Sequence, residues 1–195
     1  MSAGRVVSVN LAVVREAPVV RRGEDRDEKP TLTGIDKRSA DGQVRVEPLG
    51  LVGDSILDTE NHGGLTQAVY AYALEDQQWW AEQLGDELAA PITPGSFGEN
   101  LTLEGVAITD ARVGERWSIA DVVLEVTDPR IPCSTFAGFI GVAHWVKRFA
   151  LAERPGAYLR VVTPGSVAAG DVVTVSPGPS DQPTIREVFA AHYRR

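Results

Sequence analysis

Three corners in this chain share one pattern, a glycine followed by an acid with strand-like residues nearby: Gly53-Asp54, Gly114-Glu115 and Gly170-Asp171. Each suits a tight reversal in which glycine takes positive φ. Recurrent reversals between short strands point to a barrel or strongly coiled sheet rather than a parallel α/β sheet. The strands are legible between them. Arg5 to Val14 is β-rich, and Ala68–Ala73 and Tyr158–Val162 have strand length and composition. Val122-Val123-Leu124-Glu125-Val126 is almost continuously apolar, which predicts a strand buried on both faces. Helices are fewer. Glu75–Leu84 ends at Gly85, a C-terminal stop. Val142, Trp145, Val146 and Phe149 fall at i, i+3, i+4 and i+7 and predict one apolar face, with His144 opposite it. Thr184 and Glu187 have capping-box spacing ahead of the stripe Ile185, Val188 and Phe189, in a helix that also carries His192. Pro177, Pro179 and Pro183 precede that helix. The expected fold class is therefore mainly β with a few helices (α+β), a β-barrel-like body over 1–176. A proline-rich linker and short C-terminal helix follow over 177–195, packed on the body or on a partner. The charged run Glu24–Lys29 reads as a solvated loop after the first hairpin.

At 195 residues the chain is long enough to bury one core without disulfides or structural metal. Its single cysteine excludes an internal disulfide and favours a reducing compartment. The N-terminus is too short and too alternating for a signal peptide, and no apolar run reaches the ~18 residues of a membrane span. A cytoplasmic protein with no membrane partner is expected. The net charge of −8 and pI near 4.9 argue against nucleic acid as the main partner. A small anionic ligand stays open, because a few local cations suffice and distant surface charge is screened beyond ~8 Å. A homodimer is among the assemblies the sequence leaves open.

Four segments carry more polar and glycine residues than turns require. In Thr31–Arg38, a hydroxyl, a glycine-exposed backbone and the cations Lys37 and Arg38 are the ingredients of an anion site, most naturally for phosphate. Taken alone, the same residues suit a β-turn with surface charges. In Asn61-His62-Gly63-Gly64-Leu65, two glycines let the backbone approach a ligand, and His62 can donate to an anion or bind metal. No other histidine lies near it, so a zinc-type cluster is unsupported. In Pro94–Leu101, Glu99 and Asn100 are placed to brace loops or line a pocket, the bracing role suiting Glu99 better.

The fourth segment, Asp128-Pro129-Arg130-Ile131-Pro132-Cys133-Ser134-Thr135-Phe136, presents the one thiol at a strand end on a backbone stiffened by two prolines. Arg130 nearby lowers a thiol pKa and enriches thiolate, the form that attacks electrophiles and binds soft metals. An inert buried cysteine is the common alternative. A Cys–His nucleophile would need His62 as base, but the sequence supplies neither its proximity nor an orienting acid.

With these residues in view, the chain resembles the MOSC-domain family, named for the C-terminal domain of molybdenum cofactor sulfurases, and is most similar to its small stand-alone bacterial members. The resemblance rests on Thr33-Gly34-Ile35-Asp36-Lys37, Gly53-Asp54, His62-Gly63-Gly64 with Ala68-Val69-Tyr70, Phe97–Leu101, Val113-Gly114-Glu115, Pro129–Cys133, Gly156–Val161 and Gly170-Asp171, in family order from about Val6 to Val175. It implies a barrel-rich fold and a pterin-based molybdenum cofactor (Mo-molybdopterin), with Cys133 as metal ligand and catalytic centre. Thr33, Lys37, Arg38, His62, Gly63, Asn100 and Arg130 would hold the cofactor. The implied activity is reduction of N-hydroxylated compounds such as hydroxylaminopurines or amidoximes, with electrons from a separate reductase. Two other expectations stand beside it: a non-catalytic carrier of sulfur or of the cofactor, using a Cys133 persulfide, and a structural barrel without cofactor. Gln67 stands where relatives often carry a lysine, and the larger relatives' C-terminal helical bundle has one helix as its counterpart here.

Overall fold

The computed structural model describes residues 3–19, 27–59 and 62–194. The first strands are β1 (Ala3–Ala12), β2 (Arg15–Val19), β3 (Asp27–Thr33), β4 (Lys37–Ser39), β5 (Val44–Glu47) and β6 (Gly50–Leu51). There follow β7 (Val69–Ala73), α1 (Leu74–Leu84), β8 (Leu101–Glu104), β9 (Arg116–Ile119) and β10 (Val122–Pro129). The chain continues through α2 (Ser134–Ile140), α3 (Trp145–Ala152), β11 (Ala157–Thr163), β12 (Gly165–Val167), β13 (Val172–Ser176) and α4 (Ile185–Tyr193).

Seven strands close a barrel in the order β13-β9-β10-β11-β7-β8-β1, and β1 pairs back onto β13 to seal it. All these neighbours are antiparallel except β7 and β8, whose parallel pairing is made possible by the crossover through α1. Gly53, Gly114 and Gly170 take φ of 91°, 85° and 95°, so the three corners do turn in the left-handed region. The described residues are mainly β with four α-helices, the fold class expected from the sequence.

The barrel interior is aliphatic, with Val6, Val69, Leu103, Ile119, Leu124 and Val173 fully buried around Trp117. A second, aromatic layer lies between the outer face of β7 and the helices: Tyr70, Tyr72, Trp80, Phe97, Phe136, Trp145 and Phe149. Doubly buried strand character therefore belongs to β7, not to Val122–Val126. Every β7 residue is buried, with Val69, Ala71 and Ala73 in the barrel and both tyrosines in the aromatic layer. In β10 burial alternates, because only one face of a barrel strand points inward when nothing covers the other. Glu125 on its outer face bridges Arg116 and Arg160.

Other details differ from expectation. The helix predicted from Val142 starts at Trp145, and Val142 is buried in the turn before it. Val146 is exposed, and His144 is the exposed residue capping the helix start in a left-handed conformation. Residues 24–26 lie outside the described residues, while the backbone from Asp27 belongs to β3, paired with β2; charge alone does not prevent strand pairing. The capping box of Thr184 and Glu187 is formed, and α4 lies on the body with Ile185 and Phe189 fully buried. Among the described residues no helix is long and apolar enough to cross a membrane.

Candidate functional site

The β3–β4 turn, the loop after Asp54, the glycine segment at His62, and the end of β10 converge on one cavity of about 400 Å³. That is within the size range of small-molecule and cofactor sites. Its wall includes Thr33, Lys37, His62, Gly63, Asn100, Arg130 and Cys133, together with Gln67, Tyr70 and Tyr158. Arg38 lies apart from these residues. Its side chain is 68% exposed, is not part of the wall, and is held by Asp36, which also takes Arg15. The hydrogen bond from Arg38, with Arg15 adding to it, keeps the Asp36 carboxyl below its usual range despite its burial. An exposed cation beside an aspartate two positions away is thus satisfied locally.

The β3–β4 turn is held close to its neighbour. A Cβ on Gly34 would lie 2.2 Å from Ser55 O, so only glycine lets the two loops touch. Thr33 Oγ1 accepts from Ile35 N at 3.2 Å, which fixes the turn internally. Lys37 is buried and ion-paired to Asp54, whose other oxygen accepts from Ala12 N at 2.8 Å. Burial lowers the Lys37 pKa, and Asp54 opposes that shift without cancelling it. Asn100 Nδ2 donates to Asp54 at 2.8 Å and its Oδ1 accepts from Tyr70 N at 3.1 Å, so this side chain ties the scaffold together at the cavity floor. Glu99 is buried and braces the neighbouring loop, accepting from Gly95 N, Phe97 N, Gln77 and Thr102.

Cys133 ends the rigid segment and stands as the N-cap of α2, a helix not expected from the sequence after two prolines. The fold brings His62 and Cys133 to the wall of the same cavity, a proximity that the sequence did not supply. Burial raises the thiol pKa, but the His62 hydrogen bond, the Arg130 charge and the Phe136 backbone N–H outweigh it and lower the value to about 6. These neighbours favour the thiolate form of Cys133. Arg130 is 6% exposed, packs over the rings of Phe136 and Tyr70 at 4.5 and 5.2 Å, and donates to Phe97 O at 3.2 Å. Among the described residues no carboxylate pairs with it.

Asp54, Tyr70 and Tyr158 join the site without having been expected there as side chains. The usable signal is the alternation Val69-Tyr70-Ala71-Tyr72, which places the two tyrosines on the face opposite the aliphatic residues. The donor set also says what the cavity suits. Among the described residues no group of three or more His, Cys, Asp and Glu side chains could hold a metal ion. A lone soft thiolate fits a metal that arrives already held by another ligand. Arg130 Nε and Gln67 Oε1 are both buried without a partner, although both side chains form the wall. Native structures seldom leave buried groups of this kind unpaired.

The family model of the MOSC domain matches residues 58–174. The uncharacterised protein YflK of Bacillus subtilis is 34% identical over 144 residues, 74% of this chain and 63% of YflK. Protein YiiM of Escherichia coli is 26% identical over 70% of this chain and 61% of its own length. A protein of Gibberella moniliformis named a reductase is 28% identical over 73% of this chain and 25% of that protein. The matched region thus spans less than two thirds of each of these relatives. The crystal structure of YiiM from Geobacillus stearothermophilus superposes with a TM-score of 0.75 at 24% identity, covering 98% of this chain and 84% of that one.

Proposed function

Because the chain belongs to the MOSC-domain family, which is associated with the molybdenum cofactor, we propose that it binds that cofactor in the cavity at Cys133 and reduces N-hydroxylated compounds. The observation that carries the reading is the meeting of Cys133, His62 and Arg130 on the wall of one cofactor-sized cavity, where no carboxylate among the described residues pairs with the Arg130 guanidinium. When bound, the cofactor supplies the two-electron change that converts an N–OH group to N–H and water, with two protons taken up. The protein's part is binding and orientation. Cys133 offers the one soft ligand. Thr33, Gly63, Arg130 and Lys37 surround the remainder, and Tyr70 and Tyr158 keep one wall dry. Electrons come from a separate reductase, consistent with a relative that carries a reductase name and of which the matched region is only 25%.

The test is molybdenum content by elemental analysis on protein made in cells that supply the cofactor, with reduction of benzamidoxime by a chemical electron donor. Cys133→Ser is expected to lose both. Full metal content and activity in that variant would sink the reading. The same contacts would also stabilise a persulfide, so mass spectrometry is the deciding measurement for the carrier reading. One added sulfur on Cys133 in place of stoichiometric metal selects the carrier.

A further inference from the structure

Glu99 is fully buried, and the donors around its carboxylate are uncharged. Oε1 accepts from Gln77 Nε2 at 2.6 Å, from Gly95 N at 2.6 Å and from Thr102 Oγ1 at 2.7 Å, while Oε2 accepts from Phe97 N at 3.0 Å. Gly95 and Phe97 belong to one turn, 95–98, closed by Gly98 N donating to Gly95 O at 2.9 Å. That turn sits against both buried cations of the cavity wall. A Cβ on Gly95 would lie 2.2 Å from Lys37 O, and one on Gly98 would lie 3.3 Å from Arg130 Nη1. Phe97 O accepts from the same Nη1 at 3.2 Å. Phe97 thus gives its N–H to Glu99 and its carbonyl to Arg130. Stacking over the Phe136 and Tyr70 rings holds the guanidinium to a face but fixes its rotation poorly. The directional bond from Nη1 to Phe97 O supplies that rotation.

We propose that Glu99 is a positioning residue, which sets the Arg130 guanidinium at the cavity wall by fixing the 95–98 turn. The proposal deepens the reading given above, in which Arg130 belongs to the binding wall, and rests on it for its functional meaning. A carboxylate suits the task because it only accepts. A glutamine in its place keeps one carbonyl oxygen, and its NH2 group faces either the Phe97 N–H or the three donors at Oε1. Keeping the three donors leaves the Phe97 N–H unpaired, so the link towards Arg130 is the one lost. Gln77 reaches the same carboxylate from α1, outside the path through Phe97. Gln77→Leu therefore weakens the hold on Glu99 without cutting the path to Arg130.

The test uses the full chain made without cofactor and isotope-labelled for NMR, so that it can fail while the cofactor reading stands. The Arg130 Nε–H signal is identified by its loss in Arg130→Met. Glu99→Gln is expected to shift that signal and to speed its hydrogen exchange by about tenfold or more. It is also expected to slow iodoacetamide labelling of Cys133, in the direction of Arg130→Met. Gln77→Leu is expected to lose stability in urea yet to leave both readouts within about twofold of wild type. Equal changes in the two variants, or a folded Glu99→Gln with both readouts unchanged, would reduce Glu99 to a brace and overturn the proposal. Should Glu99→Gln not fold, native-state exchange of the wild type decides. The Arg130 Nε–H and the amides of Gly95 and Phe97 are expected to open as one unit, with a common dependence on denaturant. Exchange of the Arg130 proton through an opening that leaves both amides protected overturns it.

Discussion

Lys37 and Arg130 are both buried cations on the wall of one cavity, yet they are used differently. Lys37 is neutralised by Asp54 in a pair that is itself held by Asn100 and the Ala12 backbone. Arg130 has aromatic rings and a carbonyl around it, and its charge acts on the Cys133 thiol. One cation holds loops together and the other tunes a ligand. Charge at a cavity wall is chemically available only where no carboxylate has claimed it.

Breaking the buried pair gives the largest expected effect. Lys37→Met or Asp54→Leu alone should cost about 3–5 kcal/mol in urea unfolding, because each leaves the other charge buried and unpaired. The double replacement should cost clearly less than the sum. Additive losses would mean that the pair does not work as a unit. Arg130→Met should act on reactivity instead. With the guanidinium gone the thiol pKa rises, less thiolate is present at pH 7, and iodoacetamide labelling of metal-free protein should slow roughly tenfold. The wild-type labelling profile should have its midpoint at about pH 6, moving upward in the variant. The sign carries over to stability. Since the folded thiol titrates below its ordinary value, its contribution is present above the unfolded pKa and is lost as pH falls through about 6. The metal-free wild type should therefore lose stability relative to Cys133→Ala as pH drops across that window. Smallest of all, Arg38→Ala should leave the labelling rate unchanged, since its guanidinium is solvated and committed to Asp36.

The same contrast explains what could be read from the sequence. Glycine corners are local, set by φ, and so Gly53, Gly114 and Gly170 were legible as reversals. The capping box at Thr184 is local as well. Which strand is buried twice is not local: β7 acquires a second buried face only because α1 and the aromatic layer cover it, while the more apolar Val122–Val126 stays half-solvated. At the site, the thiol and its neighbouring Arg130 lie three positions apart and were legible together. The Lys37–Asp54 pair and the meeting of His62 and Cys133 at one cavity wall join distant segments, and no spacing rule announces them. For Arg38, the sequence records a cation without recording that Asp36 binds it.

The seam between β1 and β13 has a consequence for how the molecule comes into being. Arg5 pairs with Val172, so the first strand of the barrel waits for the last. At synthesis rates of about 5–20 residues per second, that wait on the ribosome is roughly 10–30 s. Throughout it the N-terminal edge of β1 has no strand on its β13 side, an open template for wrong pairing. Cys133 has meanwhile already left the ribosome ahead of the strand that seals the barrel. A newborn chain therefore exposes its thiol before the barrel is closed, and any capture of a cofactor must wait for, or help to complete, the closing of that seam.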